Sequence, residues 1–186
     1  DPRGREALLY AGDPAMPGPP PQRFFYDARG KGLVSDAAVL PDGRILLIRS
    51  SDPADRSKPA WWQLPGGGID GGETAEHAIA RALAEEAGVR DPVIGPCVWT
   101  QHAQFTFGGW DFDQHERIHV ATCDGDTTGT LHLEAFEALA FEESRWWDPE
   151  EFLAETGPTV PPRLREFLPA IIAGDRPDPP IDITPP

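Results

Sequence analysis

The feature that most constrains this chain is a glycine-rich segment that leads into an alanine-rich helix with two adjacent acids near its end. The segment runs from Gly66 to Val89 and reads GGGIDGGETAEHAIARALAEEAGV. Glycines allow a positive φ and a close approach of the backbone to a ligand, and the helix directs its acids at the same place. A loop and helix of this kind predict a site for a hard divalent cation and a phosphate.

The ends of the helix can be predicted from its capping residues. Thr74 is a good N-cap and Gly88 is a good C′ residue, so the helix is expected to lie between them. At about 100° per residue, Ile79 and Leu83 mark its core-facing side. Glu85 and Glu86 straddle the direction of the residue at 82, so both acids are expected off the core side.

The length of the chain indicates how many domains it forms, and its net charge indicates which kinds of partner it can bind. The chain has 186 residues, which suits one domain with a proper core. Its 31 acidic and 16 basic residues give a formal net charge of -15, which disfavours a large nucleic acid or an anionic membrane as a partner. A small nucleotide-type substrate remains compatible with this charge, provided that metal ions offset it locally.

Both ends of the chain are rich in proline. We expect an N-terminal arm at 1–22, a domain at 23–173 and a C-terminal tail at 174–186. An apolar patch at 7–10 could pack on the domain or across a homodimer. No stretch approaches the roughly 20 apolar residues of a membrane span, and the N-terminus lacks a basic segment followed by an apolar one, so a cytoplasmic protein is expected. Cys97 and Cys123 lack metal-type spacing, and buried thiols are favoured over one disulfide.

Three strands are predicted before the glycine-rich segment. Leu33–Leu40 and Arg44–Arg49 flank the turn Pro41-Asp42-Gly43, which predicts a hairpin. Their near-continuous apolar runs indicate strands buried on both faces. A third, short strand is expected at Trp61–Leu64, after a polar loop at 50–59.

Strands and helices also interleave after the predicted helix. Further strands are expected at 92–100, 101–107, 116–122 and, as the last one, 144–147; further helices are expected at 150–154 and 162–173. Gly108-Gly109-Trp110 separates two of these strands, Asp148-Pro149 caps the first of these helices, and the acidic stretch 131–143 has no clear assignment. This interleaving predicts a mixed sheet covered by helices on both faces, an α/β (α+β) fold.

The glycine-rich segment resembles the Nudix box, the 23-residue signature of the Nudix hydrolases. That pattern is Gly, five residues, Glu, seven residues, then Arg-Glu-aliphatic-any-Glu-Glu-any-Gly-aliphatic. The residues that fall on it at the correct spacing are Gly67, Glu73, Arg81, Leu83, Glu85, Glu86, Gly88 and Val89. One position departs, because Ala82 stands where the family has a glutamate.

The resemblance implies a fold, a reaction and a set of roles. It implies an α/β/α sandwich that hydrolyses a nucleoside diphosphate derivative by attack of water on phosphorus, with Mg²⁺ or Mn²⁺ as cofactor. By position, Glu85 and Glu86 would be metal ligands together with the backbone carbonyl of Gly66. Glu73 and Arg81 would form the supporting contact between loop and helix.

The alanine at position 82 leaves four explanations open. A carboxylate elsewhere could substitute for the missing one, with Glu116, Glu137, Glu142 and Glu143 as candidates. The enzyme could work slowly on one metal, or the alanine could be an introduced change. The protein could also be a Nudix-fold nucleotide-binding or regulatory module without catalysis. A working hydrolase is favoured, and the candidate catalytic acids are Glu85, Glu86, Glu116 and Glu142.

Candidate substrate contacts come from cationic and aromatic residues near the predicted site. Arg49 ends the second strand, where it could reach a phosphate, although a surface ion pair is the simpler interpretation. Trp61 and Trp110 adjoin loops, and an aromatic ring there could stack on a base. The histidines at 102, 115 and 119 are more simply satisfied or exposed side chains than catalytic ones.

Overall fold

The computed structural model describes residues 33–39, 42–69, 72–124, 133 and 135–186, and at 33–39 and 135–137 it describes the backbone without the side chains. The predicted N-terminal arm at 1–22, with its apolar patch, lies outside these ranges. The strands, in chain order, are Leu33–Val39 (β1), Ile45–Ser50 (β2), Trp61–Gln63 (β3), Gly66–Gly68 (β4), Val93–Phe107 (β5), Trp110–Thr122 (β6), Phe141–Trp147 (β7), Thr159–Val160 (β8) and Ile181–Asp182 (β9). The helices are Ala75–Ala87 (α1), Ala135–Ala140 (α2), Pro149–Ala154 (α3) and Leu164–Ile172 (α4).

These strands form one mixed sheet in the described part of the chain. Its order is β8-β3-β2-β1-β6-β5-β9, with β4 paired to β1 and β7 paired to β2. The pairs β1–β6, β3–β8 and β5–β9 are parallel, and the other pairs are antiparallel. The mixed sheet predicted from the interleaved elements is therefore confirmed.

Helices cover both faces of this sheet. On one face, which we call the α1 face, Ala121 of β6 lies in one buried cluster with Ile79 and Leu83 of α1. On the other, which we call the α4 face, Ile118 and Val120 of β6 lie in a cluster with the apolar residues of α3 and α4. The helix–sheet–helix layers agree with the sandwich that the resemblance implies.

The fourth and fifth predicted strands are one strand in the structure. Residues 92–100 and 101–107 belong to the single strand β5, and β6 begins at Trp110 rather than at Glu116. The two strands form a long hairpin whose turn residues, Gly108 and Gly109, both have positive φ, as a tight hairpin turn requires. The first half of this strand was missed because four of the five residues at 111–115 are polar, which obscures the apolar alternation that marks a buried strand.

Part of the proline-rich tail at 174–186 packs on the domain instead of extending from it. Ile181 and Asp182 form strand β9 and pair with Trp99 and Thr100 of β5. The prediction that residues 144–147 form the last strand is therefore wrong. Ile183 is 0% exposed and lies in the core cluster of the α4 face. Burying such a side chain contributes about 1.5–3 kcal/mol. The Ile183 N–H also donates to the Thr100 carbonyl at 2.8 Å, and the His102 N–H donates to the Thr184 hydroxyl at 2.9 Å, so burial and hydrogen bonds together hold the segment on β5.

The predicted ends of the box helix are confirmed. The Thr74 hydroxyl accepts a hydrogen bond from the His77 N–H at the start of α1. At its end, Gly88 has φ 64° and ψ 17° in the left-handed region, and its N–H donates to the Ala84 carbonyl. This geometry terminates the helix just before the chain turns into β5.

Replacing Gly88 by alanine should lower the unfolding free energy by about 1–2 kcal/mol, because an L side chain is strained in this conformation. Denaturant titration followed by circular dichroism measures the change. Gly88→Asn is the matched control and should lose less, since asparagine tolerates the left-handed region. Equal losses for both variants would contradict the conformational explanation.

A buried aspartate ties the loop between β2 and β3 to the β5–β6 turn. Asp52 is 1% exposed, and its carboxylate accepts hydrogen bonds from the Lys58 ammonium at 2.7 Å, the Ala54 N–H at 2.9 Å and the Gly108 N–H at 3.0 Å. Burial would raise the pKa of Asp52, but these three donors outweigh it and hold the pKa below its usual value. The loop is therefore fixed to the tip of the hairpin.

The Asp52→Asn variant should lose about 1 kcal/mol of unfolding free energy at neutral pH, since Lys58 is partly in solvent. A lowered pKa stabilises the fold above the unfolded value of about 4 and loses that contribution as the pH falls through the folded value. The difference between wild type and variant should therefore shrink in acid. Asp175→Asn, at an exposed position after α4, should show no comparable difference in a pH series of melting curves.

Candidate functional site

Arg81 joins the glycine-rich segment to the helix. Its guanidinium donates to both carboxylate oxygens of Glu73, Nε to Oε1 at 3.1 Å and Nη2 to Oε2 at 3.0 Å. Nη2 also donates to the Gly68 carbonyl at 2.9 Å, and Nη1 to Glu85 Oε2 at 3.2 Å. A planar fork with several donors suits this geometry. One side chain therefore holds together strand β4, Glu73 just before the N-cap of α1, and an acid on α1.

Glu86 makes the second contact between helix and loop. Its Oε2 accepts the N–H of Gly66 at 2.9 Å, and the residue is 8% exposed. The sequence predicts both acids off the core side, and this is so for Glu85, whose side chain is 36% exposed. Glu86 instead turns into the protein, because its carboxylate bonds to the Gly66 peptide.

Ala82 lies one helical turn before these two acids. It is 3% exposed, and residues at i, i+3 and i+4 share a face of a helix. The position therefore carries no oxygen where the family pattern has a carboxylate.

The glycines of the loop are more extended than the sequence predicts. Gly66–Gly68 form strand β4 and pair with Leu33–Ser35 of β1. Of the four loop glycines that the structure describes, at 66–68 and 72, Gly72 alone has a positive φ, at 86°. The expected open approach is nevertheless present, because a Cβ added at Gly67 or Gly68 would meet no atom within 4 Å. This space lies directly beside the contacts of Arg81 and Glu86.

Gly67→Ala should leave the unfolding free energy within about 0.5 kcal/mol of wild type, since the added methyl meets open space. It should lower the catalytic rate by about 10-fold, because the methyl occupies the space in which a substrate would approach. Gly95→Ala is the contrasting control, since its Cβ would lie 3.0 Å from the Val120 carbonyl oxygen, and it should destabilise the fold. A fully active Gly67→Ala variant would show that nothing binds in that space.

The oxygens around the loop suit a small, hard cation. The described residues contain no group of three or more His, Cys, Asp or Glu side chains arranged to hold a metal ion. Magnesium, however, is commonly bound by one or two carboxylates together with substrate phosphates and water. The carboxylates of Glu85 and Glu86 and the carbonyl of Gly66, beside an open space, fit that requirement.

Glu116 does not lie with these acids. It alternates along β6 with Ile118, so its side chain is on the α4 face, and it is 5% exposed. Its two carboxylate oxygens accept hydrogen bonds from the amide groups of Gln101 and Gln114. Burial raises the pKa of Glu116, although the two amide donors oppose this effect.

Arg49 and Glu142 are brought together in an ion pair. Arg49 Nε lies 3.1 Å from Glu142 Oε2, and Nη1 lies 3.8 Å from Glu143 Oε1. The Arg49 guanidinium also lies 5.9 Å from the centre of the Trp62 ring. Arg49, Trp62 and Glu143, but not Glu142, border a cavity of about 210 Å³, which Ala60, Arg145, Trp147, Glu155 and Gly157 also line. The Glu137 side chain, a further candidate acid, lies outside the described residues.

The two candidate tryptophans differ in their surroundings. The Trp61 Nε1–H donates to Gln63 Oε1 at 2.6 Å, and its ring meets the Phe107 ring edge-on at 5.9 Å. Trp110 is 3% exposed, so its ring presents almost no surface to a ligand. Stacking of a base therefore remains a prediction for Trp61.

The histidines and cysteines have ordinary environments. His102 and His115 stack at 4.4 Å on the hairpin, and His102 Nε2 lies 2.7 Å from Asp113 Oδ1. His119 is buried, with Nδ1 3.2 Å from the Gly95 carbonyl. Both cysteines are free thiols, Cys123 buried and Cys97 half-buried.

Sequence reasoning missed the glutamines that hold Glu116. Gln101 is 3% exposed and lies opposite Glu116 in the β5–β6 ladder. The signal that could have found them is the alternation of side chains along β5 and β6, which places these glutamines on the same face as Glu116. It was hidden because the sequence analysis divided β5 after residue 100 and began β6 at residue 116.

Comparisons with known proteins agree with the fold. The NUDIX domain model matches residues 33–171. An RNA pyrophosphohydrolase of Caulobacter vibrioides (strain NA1000 / CB15N) is 51% identical over 147 residues, which cover 72% of this chain and 78% of that protein. The CTP pyrophosphohydrolase of Escherichia coli (strain K12) is 29% identical over 133 residues, 71% of this chain and 87% of that protein.

Two solved structures show the same fold at low sequence identity. A NUDIX-family hydrolase from Clostridium perfringens has a TM-score of 0.53 and 16% identity, and the match covers 83% of this chain and 100% of that chain. An ADP-ribose pyrophosphatase from Streptococcus suis 89-1591 has a TM-score of 0.52 and 15% identity, with 83% and 98% covered. Within the described residues, no helix is long and apolar enough to cross a membrane.

Proposed function

Since the chain belongs to the Nudix family and is a pyrophosphohydrolase, a hydrolase of pyrophosphate bonds, we propose that it cleaves a small nucleotide-type substrate with the help of Mg²⁺ or Mn²⁺. The observation that carries the proposal is the pair of links between loop and helix. Arg81 holds Glu73, Gly68 and Glu85 together, and Glu86 holds the Gly66 peptide. In this proposal, the two links keep two carboxylates beside the open space over the glycines.

Each residue of this site has a separate task in the proposal. Glu85, Glu86 and the Gly66 carbonyl would hold the divalent cation. When bound, such an ion neutralises charge on the phosphoryl oxygens and on the leaving group. Arg81 keeps Glu85 in place through its Nη1, and its other nitrogens fix the strand against which the substrate phosphates would lie.

The position of Ala82 favours a second candidate function. A site with two carboxylates rather than three binds a cation more weakly, and a protein that holds nucleotides without cleaving them would tolerate this loss. That module would be stabilised by its ligand through mass action and would show no turnover. We favour hydrolysis, because both remaining acids keep structured contacts to the loop.

The substrate class follows from charge and from the relatives. The relatives carry the names RNA pyrophosphohydrolase and CTP pyrophosphohydrolase, and a 5′-triphosphate end of RNA shares its chemistry with a free nucleoside triphosphate. With a net charge of -15, this chain repels a long polyanion. We therefore propose the free nucleotide as the substrate.

A paired substrate panel tests this choice. One arm offers free nucleoside triphosphates, ADP-ribose and dinucleoside polyphosphates, and the other offers short RNA with a 5′-triphosphate end, each with Mg²⁺ or Mn²⁺. Release of phosphate-bearing products is followed by chromatography. We expect a higher kcat/KM on a free nucleotide, and a higher value on RNA would overturn the proposed substrate class without affecting the reaction type.

A further inference from the structure

The α4 face of the β5–β6 hairpin carries a strip of side chains that the proposed chemistry does not use. Register places Gln101 opposite Glu116, Ala103 opposite Gln114, and Phe105 opposite Phe112. Cross-strand pairs on one face are in contact with their diagonal neighbours. The three rows therefore form one continuous strip from the core toward the hairpin tip.

The buried end of the strip is polar. Gln101 Nε2 donates to Glu116 Oε2, and Gln114 Nε2 donates to Glu116 Oε1 at 2.6 Å. A carboxylate can only accept hydrogen bonds, so it turns the NH₂ group of both glutamines toward itself and leaves their amide oxygens for other donors. Among the described residues, Gln101 Oε1 is buried without a hydrogen-bond partner. Buried acceptors in folded proteins are normally paired, so this oxygen can accept a hydrogen bond from a bound molecule.

The other end of the strip is aromatic and open. The rings of Phe105 and Phe112 stack with their centres 5.1 Å apart and their planes at 10°, and Phe105 is 40% exposed. Between the two ends, Ala103 and Gln114 are half-buried. An apolar ring surface beside oriented amide oxygens is what a flat, polar-edged base requires.

The strip lies close to the loop that carries the proposed cation ligands. Glu116 pairs with Leu33 of β1, and Leu33 pairs with Gly68 of β4. Strands in a sheet are about 4.8 Å apart, so the backbones of Glu116 and Gly68 are roughly 10 Å apart. Within the described residues β4 has β1 as its only strand partner, so Gly68 lies at an edge where both faces of the sheet can be reached.

We propose that Gln101 and Gln114 recognise the base of the substrate through hydrogen bonds and that this base is guanine. Glu116 is then a positioning residue that orients the two amide groups. Guanine presents two adjacent donors, N1–H and the N2 amino group, to a pair of acceptor oxygens. Adenine offers one donor group beside an acceptor nitrogen and matches only one of them. This assignment rests on the proposed function, because it names the substrate class of the same site.

Binding without turnover tests the assignment. Calorimetric titration without added metal compares GMP with IMP, which lacks only the N2 amino group, and with AMP. Wild type should bind GMP about 10-fold more tightly than either, because a site built to hydrogen-bond a group rejects the analogue that lacks it. Glu116→Gln and Gln101→Leu should each reduce this ratio to near one.

Asp113→Asn is the matched control, since it lies on the same strand with its side chain on the opposite face, and it should keep the GMP preference. Melting curves verify that each variant is folded. Equal binding of the three nucleotides by wild type, no binding of any of them, or an unchanged GMP preference in the folded Gln101→Leu variant would overturn the proposal. A GMP preference without any hydrolysis would instead contradict the proposed function alone.

Discussion

Replacing Glu86 by glutamine should lower kcat/KM for nucleotide hydrolysis by at least about 100-fold, because loss of a group that only supports a metal ligand already costs about 10- to 100-fold. Glutamine has nearly the same shape and keeps an oxygen that can accept the Gly66 N–H, now 2.9 Å from Glu86 Oε2. The substitution therefore removes the charge and retains the loop contact. Steady-state kinetics over a range of Mg²⁺ concentrations measures the effect.

Glu76→Gln is the matched control for this variant. Glu76 lies in the first turn of the same helix and is exposed, so its loss should leave kcat/KM within about twofold, as expected for a surface change away from the site. An active Glu86→Gln variant would remove Glu86 from the catalytic account. A variant that has lost activity and melts at a much lower temperature would show that Glu86 is needed for stability, and that its loss reduces activity by unfolding the site.

The Ala82→Glu variant should gain about 10-fold or more in turnover at limiting Mg²⁺. A carboxylate at this position completes the i, i+3, i+4 set with Glu85 and Glu86, and a third oxygen ligand raises the affinity for the cation. Because Ala82 is 3% exposed, the longer side chain must extend toward the open side of the helix. The gain should shrink as Mg²⁺ approaches saturation, since affinity is what changes.

Ala82→Gln separates charge from size in this experiment. It adds almost the same volume without a negative charge, so it should share any loss of melting temperature with Ala82→Glu but not the gain in turnover. If the two folded variants are equally active, or if the Mg²⁺ dependence of Ala82→Glu equals that of wild type, the site does not lack a ligand at this position. A substitute acid would then have to be sought, with Glu142 and Glu143 as the candidates that the structure places on the surface.

Local signals in the sequence were strong where the chemistry of single residues decides the structure. The helix begins after Thr74 and ends before Gly88, as its cap residues predicted. The apolar run at 45–48 predicted a strand buried on both faces, and its residues are at most 2% exposed. Such features depend on hydrogen bonds and burial within one short segment, so they can be predicted without the partner elements.

Features that depend on pairing were harder to predict. The hairpin strands β5 and β6 are longer than expected, because their outer halves are stabilised by each other and not by a core. The anchoring of the tail through Ile183 depends on a place in the core that distant elements build. Glu116 was taken as a candidate near the cation, yet the alternation of β6 places it on the opposite face of the sheet from α1.

Hydrolysis of a nucleoside triphosphate by the unaltered chain, with and without a divalent cation, is the most direct test of the central claim. The account predicts cleavage of a pyrophosphate bond with Mg²⁺ or Mn²⁺, loss of that cleavage when the ion is chelated, and recovery when it is restored. Thermal shift measurements on the same samples report binding independently of turnover. Stabilisation by nucleotides with no turnover at either metal would contradict the account and identify the protein as a binding module.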